Sequence, residues 1–131
     1  MPKLEIVDPW GFDKRYTFSP AVRKGNLLFI SGMTATDDKG NIVGQGDIVA
    51  QTRQIFEKMK TVLEAVGGSF DNIVKTVDYI TTKEGYKGTA DVRREYFHNG
   101  FPAATGIVIK ELLRPDALIE IDAIAVLDEE T

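Results

Sequence analysis

The chain contains no cysteine, and this one absence removes disulfides, thiolate metal sites and a cysteine nucleophile together. Histidine is almost missing as well. His98 stands alone, so a paired-histidine metal site has no second imidazole. Its position at the end of a predicted helix suits the C-terminal dipole better than the role of a general base. Charge of neither sign is concentrated: 16 Lys and Arg against 20 Asp and Glu give a net charge of −4. No basic stripe is dense enough to neutralise phosphates, which argues against a nucleic-acid partner. No apolar run approaches the length of a membrane span, and Met1 to Trp10 carries Asp, Glu and Pro where a leader would be apolar. A cytoplasmic protein with no membrane partner is expected. Nucleotide signatures also fail, because Val49 stands where Gly44-Gln45-Gly46 would need a third glycine, and no Lys-Ser/Thr follows.

What is present is an ordinary globular mixture, 43% apolar and 27% charged over 131 residues, enough for one core. Residues 1–14 have little periodicity and contain the turn Asp8-Pro9-Trp10-Gly11, so they read as an N-terminal arm. The remainder, 15–131, reads as a single domain. Tyr16–Val22 and Leu27–Met33 are predicted strands joined by the hairpin signal Lys24-Gly25-Asn26. From Asp47 to Val66 the apolar residues Ile48, Ile55, Phe56, Met59, Val62, Leu63 and Val66 recur at helical spacing, with Arg53, Glu57, Lys58, Lys60 and Glu64 between them. Asp47 is a suitable N-cap and Gly67-Gly68 a natural stop. A strand at Ile73–Thr82, a helix over Lys87–His98 closed by Asn99-Gly100 and Pro102, and strands at Thr105–Glu111 and Leu118–Leu127 complete the order ββ-α-β-α-ββ. Two helices can cover one face of such a sheet, and the other face then needs a partner, most simply further copies of the chain.

Carboxylates are the remaining proton carriers. Glu120 and Asp122 alternate with isoleucines and share one face of the last strand, either as solvated surface or, against an interface, as groups with shifted pKa.

Several separate segments resemble the Rid/YjgF family: Ser19-Pro20-Ala21-Val22, Leu28-Phe29-Ile30-Ser31-Gly32, Gln51-Thr52 in the first helix, Ile73-Val74-Lys75-Thr76-Val77, Phe101-Pro102-Ala103, and Ile119-Glu120-Ile121-Asp122-Ala123-Ile124-Ala125-Val126. They cover roughly residues 16 to 127. The resemblance implies an α+β fold of the chorismate-mutase-like type, a mixed β-sheet backed by two α-helices, closing as a homotrimeric barrel with a small-molecule cleft at each subunit interface. It implies no metal and no organic cofactor, and hydrolysis of enamines or imines such as 2-aminoacrylate to a keto acid and ammonia. Other members are lyases on aromatic hydroxylamines, or carry an endoribonuclease or translation-inhibitor label that the acidic balance here opposes. Ligand binding without chemistry is a further alternative.

By the same resemblance Glu120 is the catalytic residue that holds the attacking water, while Ser31, Gly32, Thr105 and Gly106 line the site. The family's arginine after Pro-Ala, a bidentate carboxylate clamp, is replaced by Ala104. Its tyrosine after Gly-Pro is replaced by Ala21, and its helix asparagine by Asp91. These losses point to a ligand bulkier than aminoacrylate, and Arg23, Arg93, Arg94 and Arg114 are the candidates to replace the missing cation.

Overall fold

The computed structural model describes residues 4–128. Helix α1, Ile48–Ala65, starts where Asp47 accepts the backbone N–H groups of Val49 (3.1 Å) and Ala50 (3.0 Å), two of the donors that a helix N-terminus leaves unpaired. It stops at Gly67, whose φ of 73° is left-handed. Gly68 N–H then donates to Leu63 O (2.8 Å) and Gly67 N–H to Glu64 O (3.1 Å), the paired bonds of a Schellman end. The apolar stripe buries Ile55, Phe56, Met59, Val62 and Leu63 almost completely, each worth about 1.5–3 kcal/mol of transfer free energy.

The stripe packs on a six-stranded sheet of order β1-β2-β3-β6-β4-β5. The strands are β1 Glu5–Val7, β2 Ala21–Lys24, β3 Leu27–Met33, β4 Ile73–Ile80, β5 Ala103–Val108 and β6 Ile119–Val126. All pairings are antiparallel except β4 with β5, which helix α2, Thr89–Tyr96, connects as a parallel pair requires. The expected α+β mixed sheet with two helices is what the chain forms. Strand β6 alternates Ile119, Ile121, Ala123 and Ala125 into the core with Glu120, Asp122 and Ile124 on the other face, the period of two of a half-buried strand.

The main differences from expectation lie at four elements. Residues 5–7 of the predicted arm add a strand beside β2. Tyr16 and Phe18 precede β2 instead of lying in it, because they stack with Phe12 (centroids at 5.0 and 5.7 Å). Helix α2 is shorter than Lys87–His98, beginning after a 3-10 turn at Tyr86–Gly88 and ending where Phe97 is extended. Strand β5 begins directly after Pro102 and stops at Val108 rather than at Glu111.

Beneath β5, Asp78 of β4 is buried. Its Oδ2 accepts the Tyr86 hydroxyl (2.6 Å) and pairs with Arg93, whose guanidinium lies 5.5 Å from the Tyr86 ring centroid. Burial, then the bond to Asp78, push the Tyr86 hydroxyl up to about 12. Removing one member of such a buried pair leaves an uncompensated charge, so this cluster anchors the β4–α2 packing.

Candidate functional site

Strand β3 pairs with β6 through Ile30↔Ala123 and Met33↔Ile121, with a shift of register between them. One extra residue on β3 makes a bulge, a device that turns side chains and backbone away from the regular pleat. The residues displaced are Ser31 and Gly32. Ser31 N–H and Oγ donate to Pro20 O (2.9 Å) and Ser19 O (2.5 Å), tying the bulge to the segment that enters β2. Gly32 lies against Glu120: a Cβ built there would meet Glu120 Oε2 at 2.3 Å. The carboxylate therefore occupies the space that any other residue at position 32 would fill. Burial raises the Glu120 carboxyl above its ordinary value of 4.5, and the neighbouring Asp122 carboxylate adds to the rise. Asp122 in turn accepts the Tyr79 hydroxyl at 3.0 Å.

Glu120 opens into a cavity of about 250 Å3. Phe12, Tyr16 and Phe18 form an aromatic wall, with Tyr16 and Phe18 at 5.2 Å between centroids. Lys58 and Arg114 also line it. Lys58 projects from α1, and its Nζ donates to Thr34 O and Thr36 Oγ1, each at 2.8 Å. Burial lowers its pKa to about 8, with repulsion from Arg114 as the second cause. Arg114 donates to Gly40 O.

Of the residues that the sequence singles out, the cavity brings together Ser31, Gly32 and Glu120 with one of the four candidate cations, Arg114. It does not include Ala104, Thr105 or Gly106, which lie on β5, exposed at every position. Thr105 Oγ1 there accepts Lys75 Nζ (2.7 Å). Ala21, a cleft position by resemblance, is instead fully buried. Its register with Val7 and Ile30 turns its methyl group into the core, and Pro20 lines the cavity. Asp91 is also placed elsewhere, on an exposed part of α2 in an ion pair with Arg94 (2.8 Å). Arg93 is bound to Asp78, and Arg23 Nε donates to Gly25 O (3.0 Å). His98 caps α2 through Glu95 O (2.6 Å) and is exposed.

Two parts of the cavity escape sequence reasoning. Lys58 reads as solvent-facing because it lies between apolar positions, yet Gln51, Gln54 and Lys58 form a polar stripe at helical spacing. Each binds backbone carbonyl groups across the fold. The density of aromatics at Trp10, Phe12, Tyr16 and Phe18 is the signal for the wall, obscured by reading part of it as strand. Among the described residues no group of three or more His, Cys, Asp or Glu is placed to hold a metal ion, and no helix is long and apolar enough to cross a membrane.

The chain is similar to known proteins over most of its length. Residues 12–127 match the family model described as Endoribonuclease L-PSP. A RutC family protein of Pyrococcus horikoshii is 38% identical over 108 residues, 82% of this chain and 85% of the relative. The 3-aminoacrylate deaminase RutC of Acinetobacter baylyi is 33% identical over 126 residues, 95% and 98% of the two chains. Among solved structures, the conserved Rid-family protein YyfA of Yersinia pestis superposes with a TM-score of 0.86 at 28% identity, over 95% of this chain and all (100%) of the other. RidA of an Antarctic Psychrobacter superposes with 0.79 at 27% identity, over 86% and 90%. A family model spanning most of the chain, together with relatives above 30% identity along it, establishes that the protein belongs to the endoribonuclease L-PSP family, also called the YjgF/Rid family.

Proposed function

We propose that the protein is a cytoplasmic hydrolase that deaminates an imine or enamine larger than 2-aminoacrylate, at clefts between the subunits of a homotrimer. The observation that carries this reading is the Glu120 carboxylate, held over Gly32 in the lining of an aromatic-walled cavity with its pKa raised. A base works best when its pKa approaches the working pH. Glu120 takes a proton from water as the oxygen adds to the C=N carbon, and returns it to nitrogen. Glu120 then takes the hydroxyl proton of the carbinolamine and passes it to the amino group, the C–N bond breaks, and a ketone and ammonia leave; an enamine enters the same path after protonation at carbon. The 3-aminoacrylate deaminase activity named for the Acinetobacter relative supports the reaction class.

Support for the trimer comes from two surfaces. Ile6, Val22, Phe29 and Ile124 stand in register across the face of the sheet away from α1, with Ile6 and Phe29 exposed at 49% and 45%. An apolar row of this kind marks an interaction surface. Strand β5 presents Ala104, Thr105 and Gly106 at the sheet edge, and a neighbouring copy would bring them to a cavity that lacks them. Ala104 leaves that contribution without a side-chain cation, which disfavours a very small acid and widens the cleft.

The test is ammonia release from imines generated in place by an amino-acid oxidase, followed with purified protein. Aromatic imines should be hydrolysed above the buffer rate and aminoacrylate poorly, and Glu120→Gln should reduce turnover by about 10²-fold or more. Full activity in that variant removes Glu120 from the mechanism. Binding without turnover across the panel leaves a ligand-binding protein.

A further inference from the structure

Lys58 and Arg114 meet at one cavity from different parts of the chain, α1 and the segment between β5 and β6. Neither has a carboxylate partner: the ion pairs among the described residues join Arg53 to Glu95, Arg93 to Asp78 and Arg94 to Asp91. The nearby Asp37 is occupied locally, its Oδ1 accepting the N–H groups of Lys39 and Asn41 at 2.9 Å each. Two partly buried cations near one another, neither held in an ion pair, raise each other's free energy. Both keep donors in reserve. The Lys58 ammonium has three protons and two acceptors, and the Arg114 guanidinium has five N–H groups and one acceptor, Gly40 O. The aromatic wall completes the enclosure. A cavity of about 150 Å3 holds benzene, so the volume of about 250 Å3 here accepts an aromatic ring with a charged substituent.

We propose that Lys58 and Arg114 form an anion subsite, and that the ligand is an aromatic or conjugated carboxylate lying against Phe12, Tyr16 and Phe18. The inference rests on reading this cavity as the active site, and it adds the substrate class. The carboxylate sits between the two cations and the carbon–nitrogen group is directed towards Glu120. Selection then depends on both features: a neutral aromatic lacks the charge, and a small acid leaves the wall uncovered.

Calorimetric titration of the purified full-length protein with phenylpyruvate, and with phenylacetone as its neutral counterpart, tests this directly. Phenylpyruvate should bind at least about tenfold more tightly, and Lys58→Met and Arg114→Gln should each erase about tenfold of that affinity, the usual effect of losing a charged hydrogen-bond partner. Arg114 lies on a loop and is half-buried, so its variant keeps the test informative if Lys58→Met disturbs α1. Equal affinity for the two probes, no binding of phenylpyruvate, or unchanged affinity in both variants overturns the subsite. Its fate is separable from that of the hydrolase: cation-dependent binding without deaminase activity keeps the subsite and removes the reaction, while turnover insensitive to both substitutions does the reverse.

Discussion

The cavity around Glu120 and the edge strand β5 both carry residues that sequence resemblance assigns to one site, yet they are physically unlike. At the cavity a bulge fixes Ser31 and Gly32, a carboxylate is pressed against a glycine, and two cations and three aromatics close the walls. At β5 every residue from Ala103 to Val108 is exposed, and the strand pairs only with β4. The cavity is held by contacts within one chain, whereas the edge presents unpaired backbone groups of the kind that proteins usually cover. The difference teaches that one chain by itself encloses Glu120 together with two cations and three aromatics, and leaves Ala104, Thr105 and Gly106 outside that enclosure on an open edge.

The sharpest way to break this comparison is Ile107→Asp. Ile107 is 41% exposed and shares the face of Tyr79 and Glu120 through the register of β5, β4 and β6. In an isolated chain such a surface change costs within about 0.5 kcal/mol. Beneath another copy it buries an unpaired charge, so the assembly should dissociate in sedimentation analysis and turnover should fall with it. An intact assembly with normal turnover would place the interface elsewhere. Gly32→Ala probes the cavity side with a smaller expected effect. The new methyl group would meet the far end of a flexible side chain, so the fold should survive while the Glu120 carboxylate is displaced. We expect turnover to drop by about tenfold to a hundredfold with unchanged circular dichroism, because catalysis is sensitive to displacements of about 1 Å.

The same contrast explains what was legible in the sequence. Helix α1 could be read to within a residue because its cap, apolar stripe and glycine stop are all local. Strand β6 was equally clear, since strict alternation records the burial of one face. Strand β1 was hidden because three residues carry no periodicity, and its partner β2 lies well along the chain. Ser31, Gly32 and Glu120 came through resemblance, but the reason Gly32 is a glycine emerges only when β3 and β6 pair. Lys58 was invisible as a site residue because its neighbours Thr34 and Thr36 arrive through tertiary packing. The direction of Ala21 is illegible for a related reason: position in a motif does not say which way a strand residue points, and its pairing with Val7 and Ile30 decides that.

The smallest expected effect is also the one that joins stability to function. Glu120 has a folded pKa above its ordinary value of 4.5, because burial and then Asp122 disfavour its charged form. Such a group binds its proton more readily in the folded state than in the unfolded state. Its contribution to stability is therefore fully present below the unfolded pKa and is lost as pH rises through the folded one. Glutamine is neutral throughout and escapes that loss. The melting temperatures of wild type and Glu120→Gln, compared by thermal denaturation, should differ by a constant amount below pH 4 and shift in favour of the variant as pH rises to 7. A difference that stays flat across this range would mean that the carboxylate is as well solvated in the folded chain as in the unfolded one, and the distinction between an enclosed cavity and an open edge would lose its electrostatic basis.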